Sequence, residues 1–334
     1  MSLLDRLSAA ERERLRTAEP KARERPMLAV LTDRRTFDHD MLFERKLDGV
    51  RAVAIRDGDR LRLLSRTGKN LNDTYPELVD ALAAQDCRDF AVDGEITAVK
   101  GGRSDFALLQ QRMQLTRPED VRASRVSVRY YLFDLLSLDG WRTTTLPLRT
   151  RKSLLRDALD FRTPLRYTPH RVGHGGRQLL ADACGRDWEG LVAKRADGRY
   201  VHHRSTGWLK LKCAAGQELV IGGFTEPTGS RVGFGALLVG HYEGERLRYA
   251  GEVGAGYGIR TLRSLRARLD RLEQDRSPFA DDVRERAAHW VRPELVAQIG
   301  FTEWTGAGRL RHPRYLGLRD DERPTGVIRE RGTP

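Results

Sequence analysis

Cysteine is scarce in this chain. Cys87, Cys184 and Cys213 are the only three in 334 residues, an odd number, widely spaced and without a Cys-x-x-Cys pair. Such spacing supports neither a disulfide framework nor a zinc site, and a reducing cytoplasm is the compartment expected. Long apolar runs are missing too, since no stretch approaches the roughly twenty residues of a membrane span. Residues 1–16 are charged and lack the apolar region of a signal peptide, so a soluble cytoplasmic protein without a membrane partner is expected. No repeat and no low-complexity tract stands out.

Negative charge is the scarcer sign, with Asp+Glu 47 against Lys+Arg 60 and a net charge of +13. That surplus favours a polyanionic partner such as nucleic acid, without implying any base sequence. The length exceeds a usual single domain and suggests two, each with its own core.

Residues 1–25 read as a short charged helix or arm, peripheral to the fold, with Ser8 and Glu11 placed as a capping box. Strand-like stretches at 51–55 and 61–65 flank Asp57-Gly58, a dipeptide suited to a tight hairpin. Thr74-Tyr75-Pro76-Glu77 reads as a capping box opening a helix, with Leu78, Val79 and Leu82 at helical spacing. Strands are expected at 89–99 and 126–136, separated by a helix near 105–112. This mixture argues for α+β layers rather than a wound parallel sheet. After Cys213, short Gly-punctuated strands at 219–224, 235–242, 246–253 and 296–304, interrupted by a helix at 261–272, suit a small barrel of the oligonucleotide-binding type. The boundary is expected near 214–217.

Four segments carry the chemistry: Glu44-Arg45-Lys46-Leu47-Asp48-Gly49-Val50-Arg51, then Val92-Asp93-Gly94-Glu95, then Trp188-Glu189-Gly190-Leu191-Val192-Ala193-Lys194, then Trp208-Leu209-Lys210-Leu211-Lys212. Lys46 lies on the loop before a strand. A lysine amine attacks phosphorus only when neutral, so its ordinary pKa near 10.4 must fall through burial or nearby positive charge. Arg51, Lys194, Lys210 and Lys212 could supply that charge if the fold gathers them, and Lys210 and Lys212 alternate, so they share one strand face. Glu95 and Glu189 are hard oxygen ligands of the kind Mg²⁺ accepts. Asp48 would shape the turn, and Gly49 would let the backbone approach a phosphate closely. Taken singly, each motif has a plainer reading: an exposed hairpin lysine, a solvated strand face, carboxylates paired with nearby arginines.

The order and wording of these segments resemble the covalent nucleotidyltransferase superfamily and, within it, the ATP-dependent DNA ligases. The nearest resemblance is to the ligase domain of bacterial end-joining ligases and their stand-alone relatives. It runs from about residue 26 to about residue 330. Its most subfamily-specific part is Phe301-Thr302-Glu303-Trp304-Thr305-Gly306 through Leu310-Arg311-His312-Pro313 and Gly317-Leu318-Arg319. The fold implied is an adenylation domain of antiparallel sheets with helices over 26–214, followed by an OB-fold barrel over 215–334.

The resemblance also implies roles. Lys46 becomes the nucleophile that takes AMP from ATP, passes it to a 5′-phosphate, and leaves a 3′-hydroxyl to seal the strand. Glu44 becomes a reader of the adenine edge, and Phe133 an aromatic that stacks on the base, although by itself a strand aromatic is more often core. Arg66 approaches the nucleotide or the nucleic acid, Lys194, Lys210 and Lys212 serve the phosphates, Glu95 the ribose or a metal, and Glu189 a metal, Mg²⁺ or Mn²⁺. Arg309, Arg311, His312, Arg314 and Arg319 would orient pyrophosphate and then touch the DNA backbone. The implied partner is nicked or broken double-stranded DNA, with an end-binding repair protein as a further partner and a monomeric enzyme. One departure stands out: Arg319-Asp320-Asp321-Glu322 has Glu where the family's closing pattern has Lys, which would weaken ATP activation. The scattered cysteines and short arm do not supply the modules of an NAD-dependent ligase. Two alternatives stay open, a capping-type or RNA ligase with the same lysine chemistry, and a non-catalytic DNA-end binding module on this scaffold.

Overall fold

A computed structural model describes residues 2–18, 25–100, 103–113, 115–213, 216–227, 229, 232–285 and 287–330. Its contacts separate two compact units, one within residues 2–213 and one within 216–330.

The first unit contains strands β1 Leu28–Leu31, β2 Thr36–Arg45, β3 Val50–Asp57 and β4 Arg60–Ser65, then helix α1 Pro76–Ala83 and β5 Asp89–Lys100. Helix α2 Phe106–Met113, β6 Val128–Leu138 and α3 Leu148–Ala158 follow. The unit closes with β7 His170–Gly175, α4 Arg177–Gly185, β8 Gly190–Arg195 and β9 Arg204–Lys212. One sheet runs β6-β5-β3-β4 with antiparallel neighbours; the other runs β7-β2-β8-β9-β1, antiparallel except for β9 against β1.

β3 explains why the site lies where it does. Alternate residues of a strand face opposite sides, and β3 is buried on both. Val50, Ala52 and Ala54 enter a core with Phe90, Val92 and Leu132. Val53 and Ile55 enter another, which gathers Ala91, Phe133 and Leu136 from the first sheet with Met27, Tyr200 and Trp208 from beside the second. The two sheets therefore meet around aromatic side chains. On the far side of the second sheet, Met41, Phe43, Leu191, Ala193, Leu209 and Leu211 pack with Leu180 and Ala183 of α4.

Several local expectations change. The N-terminal segment is docked rather than peripheral: Leu4 and Leu7 are buried in the first core, and Arg16–Thr17 pairs with Trp141–Arg142. Its Ser8 and Glu11 capping box does form, while 19–24 of the expected arm lie outside the described residues. α1 begins at Pro76 after Tyr75, with no side-chain cap; the Glu77 carboxylate instead takes the buried Arg112 guanidinium at 2.8 and 3.0 Å. The cysteine expectation is corrected as well, because Cys184 at the end of α4 and Cys213 after β9 form a disulfide. Sequence spacing hid it because folding brings their Cα atoms to 5.4 Å across 29 residues of separation.

In the second unit, β10 Gly216–Thr225, β11 Leu237–Glu243, β12 Arg246–Val253, helix α5 Ile259–Asp270, β13 Ala288–Gly300 and β14 Arg314–Leu318 make an antiparallel sheet in the order β12-β11-β10-β13, with β14 on β13. Leu262, Leu265 and Leu269 of α5 seal a core with Leu219, Ile221, Phe224 and Val291. Positions 214–215, where the boundary was expected to begin, lie outside the described residues. Among the described residues no helix is long and apolar enough to cross a membrane.

Candidate active site

The register of the second sheet aligns the motif residues. Glu44 pairs with Val192, which pairs with Lys210; Leu42 pairs with Lys194, which pairs with Trp208; Gly190 pairs with Lys212. Strand alternation then puts Glu44, Lys194, Lys210 and Lys212 on the face away from α4. Just past the end of β2, the Lys46 backbone N–H donates to the Gly190 carbonyl at 2.9 Å, holding the nucleophile candidate beside β8. Gly49 is needed for a different approach from the one expected: a Cβ there would sit 2.1 Å from the Ile96 carbonyl oxygen, so glycine lets the chain pass against β5.

Three ion-pair groups follow. Lys46 Nζ lies 2.5 Å from Glu189 Oε1, with the two side chains 18% and 29% exposed, while Glu189 Oε2 is buried without a hydrogen-bond partner. Glu44, almost wholly buried, is held between Lys152 Nζ at 2.5 Å and Lys194 Nζ at 2.6 Å. Lys152 comes from α3 and also donates to the Thr168 carbonyl at 3.0 Å. Arg51 grips the buried Asp93 with Nε and Nη2, both at 2.5 Å, and Tyr200 donates its hydroxyl to Asp93 Oδ2 at 2.6 Å.

The electrostatics follow from this burial. For Lys194, desolvation is the largest influence, and with the nearby Lys152 it outweighs Glu44 and brings the pKa down to about 8. For Glu44, desolvation acts upward but Lys152 and Lys194 prevail, so its pKa is lowered. Arg51 is likewise desolvated, yet Asp93 prevails and holds it firmly protonated.

Phe133 is 7% exposed, meets Trp208 edge-on at 5.9 Å, and has the Lys194 ammonium at 4.0 Å and the Arg51 guanidinium at 4.6 Å from its ring centre. Its wall is thus cationic, a setting in which ring faces attract positive charge. Glu95 pairs with Arg51 across β5 and β3 and shares its strand face with Asp93. Arg66 directly follows Ser65, which pairs with Ala52, so it lies at the β4 end nearest Arg51. Arg319 belongs to the second unit, where it is buried with Nε and Nη2 donating to Asp321 at 3.0 and 2.9 Å. The first unit therefore brings Glu44, Lys194, Phe133 and Arg51 into linked contacts and pairs Lys46 with Glu189.

Sequence reasoning missed Lys152, Asp93, Tyr200 and Trp208 as site residues. Asp93 and Trp208 stood inside quoted motifs, and alternation with Glu95 and Lys210 was a usable signal. Lys152 and Tyr200 carried none, because only the placement of α3 and of the loop before β9 brings them in.

Known proteins resemble this chain in sequence and fold. Residues 26–212 match the family model for the ATP dependent DNA ligase domain, and 230–322 match the ATP dependent DNA ligase C terminal region. This chain belongs to the ATP-dependent DNA ligase family. It is 37% identical over 298 residues to the multifunctional non-homologous end joining protein LigD of Pseudomonas aeruginosa, covering 86% of this chain and 34% of that protein. A LigD of Mycobacterium tuberculosis is 37% identical over 296 residues, covering 86% and 37%. The chain thus spans about a third of the length of these curated relatives. The solved structure of mycobacterial DNA ligase D complexed with ATP and MES aligns with a TM-score of 0.63 at 32% identity, covering 91% of this chain and 98% of that one. The α+β fold with a C-terminal OB-type unit is that of the ATP ligases.

Proposed function

We propose that this chain seals 5′-phosphate/3′-hydroxyl breaks in double-stranded DNA through a lysyl-AMP intermediate on Lys46, with ATP as donor. The observation that carries the reading is the Lys46–Glu189 contact, set beside Glu44, Lys194, Arg51 and Phe133. In the first step a bond forms between Lys46 Nζ and the α-phosphorus, and the bond to pyrophosphate breaks. A strand 5′-phosphate oxygen then takes the AMP, breaking the P–N bond. Finally the 3′-hydroxyl attacks that 5′-phosphorus and AMP leaves.

Phosphoryl transfer depends chiefly on positioning and charge neutralisation. Lys210 and Lys212 present cations along one strand face, while Arg51 is fixed by Asp93. Glu44, steadied by two lysines, can accept a hydrogen bond from the adenine amine, and Phe133 offers a ring to the base. Mg²⁺ or Mn²⁺ suits the carboxylates present. Such an ion is ordinarily held by one or two carboxylates, with water and phosphate completing its shell. Glu189, whose Oε2 is buried and unpaired, and Glu95 would hold it; bound there, it would neutralise phosphate oxygens.

The +13 charge supports a DNA partner, and the end-joining name of the LigD relatives supports a place in break repair; an end-binding protein as partner and a cytoplasmic setting complete the proposal. A monomer is the oligomeric state inferred. Labelled ATP or GTP followed by a nicked duplex tests the reading: ATP-dependent labelling and sealing are expected, while GTP labelling without sealing would replace it with capping-type chemistry. Glu322 beside the Arg319–Asp321 pair favours one second reading, a non-catalytic end-binding module. Duplex binding without any adduct would establish that one.

A further inference from the structure

A cavity of about 230 Å³ lies behind the candidate active site, on the α4 side of the second sheet. Phe43, Leu179, Trp188 and Leu191 make its apolar walls, and Arg45, Arg171, Arg186 and His170 add its polar lining. Strand alternation puts Arg45 and Phe43 on the face opposite Glu44, so this space is separate from the one around Lys46. Two cations approach the Trp188 ring, the Arg45 guanidinium at 5.0 Å and that of Arg186 at 5.6 Å from its centre. Such contacts hold guanidinium groups in place; Arg45 Nη2 donates to Ser104 Oγ at 2.9 Å, and its remaining N–H groups are left to donate.

The cations outnumber their carboxylates. Among the described residues none of Arg45, Arg171 and Arg186 has a carboxylate within ion-pair distance, and the one acid of the lining, Asp182, takes the Gln178 amide at 2.9 Å. Two buried nitrogens of the lining, Arg45 Nε and His170 Nδ1, have no hydrogen-bond partner. Arg45 Nε is a donor whatever the pH, while the role of His170 Nδ1 depends on its tautomer; a buried unpaired donor is costly and calls for a partner. An anion would satisfy this cluster, and a flat ring system would cover the walls of Phe43, Leu179 and Leu191. The volume lies just under the ~300 Å³ at which drug-sized pockets begin, and the cavity opens to solvent, so one nucleotide unit could enter with part of it outside and nothing longer would be enclosed.

We infer that this cavity is a second site for a nucleoside monophosphate unit, distinct from the Lys46 site. The inference rests on the ligase reading for its choice of ligand, since the proposed reaction both releases AMP and handles strand phosphates. A planar base would lie on the apolar walls, and the phosphate would take N–H donors from Arg45, Arg171 and Arg186. Free AMP and a nucleotide of a DNA strand share this chemistry.

Methyl NMR of the whole chain, labelled at Leu and Val, separates the possibilities, because Leu179 reports on this cavity and Val192 on the opposite face. AMP, a 5′-phosphorylated oligothymidylate and inorganic phosphate are titrated in turn. A saturable Leu179 shift with AMP assigns the site to the free nucleotide, and a shift with the oligonucleotide alone assigns it to the strand. In Arg171→Glu and Arg186→Glu the shift should need at least about tenfold more ligand, the factor expected for one lost charge-assisted hydrogen bond. Leu179→Trp, which fills the cavity, should abolish the ligand shift read at Leu191 of the same lining while Val192 still responds. Movement of Val192 without Leu179 overturns the inference, as does an equal response to inorganic phosphate. Movement of Leu179 without Val192 leaves it standing and counts against the ligase reading.

Discussion

Lys46 Nζ and Glu189 Oε1 are 2.5 Å apart, so the proposed nucleophile rests as one half of an ion pair. The sequence suggested a cage of cations around this amine. The structure interleaves the cations with carboxylates instead: Lys194 and Lys152 are claimed by Glu44, and Arg51 by Asp93. Attack on phosphorus therefore requires Glu189 to loosen its hold, and its unpaired Oε2 is where a divalent cation would draw it away.

Lys46→Ala is expected to abolish the covalent AMP adduct while leaving the fold intact, because the side chain is partly exposed and outside every core cluster. Mass spectrometry after incubation with ATP and Mg²⁺ checks this. An adduct on the variant would assign the nucleophile elsewhere.

Glu189→Gln keeps the shape and removes the charge. The loss of a carboxylate ligand, an interaction of about 1.5–3 kcal/mol with a bound cation, outweighs the release of Lys46, so adduct formation should slow by roughly 10- to 100-fold, with more Mg²⁺ needed for half-maximal rate. An unchanged Mg²⁺ titration would remove Glu189 from the metal site.

The Glu44 cluster makes stability depend on pH in a set direction. Lys194 releases its proton at about 8 when folded and at its ordinary 10.5 when unfolded, so the unfolded chain binds more protons between those values. Stability from this group therefore rises with pH across that window. Glu44, lowered below its ordinary 4.5, contributes stability above that value that is lost as pH falls through its folded pKa. Urea unfolding at about pH 7 and about pH 9.5 should show the alkaline gain in wild type and not in Lys194→Met.

Asp93→Asn leaves the Arg51 guanidinium buried without its counter-charge. Breaking one side of such a pair costs about 3–5 kcal/mol, measurable as a lowered urea midpoint. Asp93→Leu combined with Arg51→Met should recover much of that loss, and equal instability of single and double variants would show the pair is not the cause.

The Cys184–Cys213 bridge predicts one reactive thiol, Cys87, when the oxidised protein is unfolded and titrated with a thiol reagent. Cys184→Ser should lower stability by about 3–4 kcal/mol on the loop-entropy estimate for 29 residues. Three thiols before reduction would show the bridge absent.

Legibility varied with the range of the interaction. β12 occupies the expected stretch, and β3, β4 and α2 lie within a residue or two of theirs, because alternation and helical spacing are local signals. α1 was expected on the wrong cap, since Glu77 finds a stronger partner in Arg112 from a different helix. The N-terminal segment looked peripheral because its charge hides two leucines, Leu4 and Leu7, that the core needs.

The amino-acid order by itself determined the alternation on β2, β8 and β9 that separates an inner charged face from an outer apolar one, since side chains on a strand must point to opposite sides. Only the tertiary structure decided which charge meets which. Lys152 reaches Glu44 across 108 positions and Glu189 reaches Lys46 across 143, and no local rule of spacing encodes contacts made by pairing distant strands and packing a helix against their sheet.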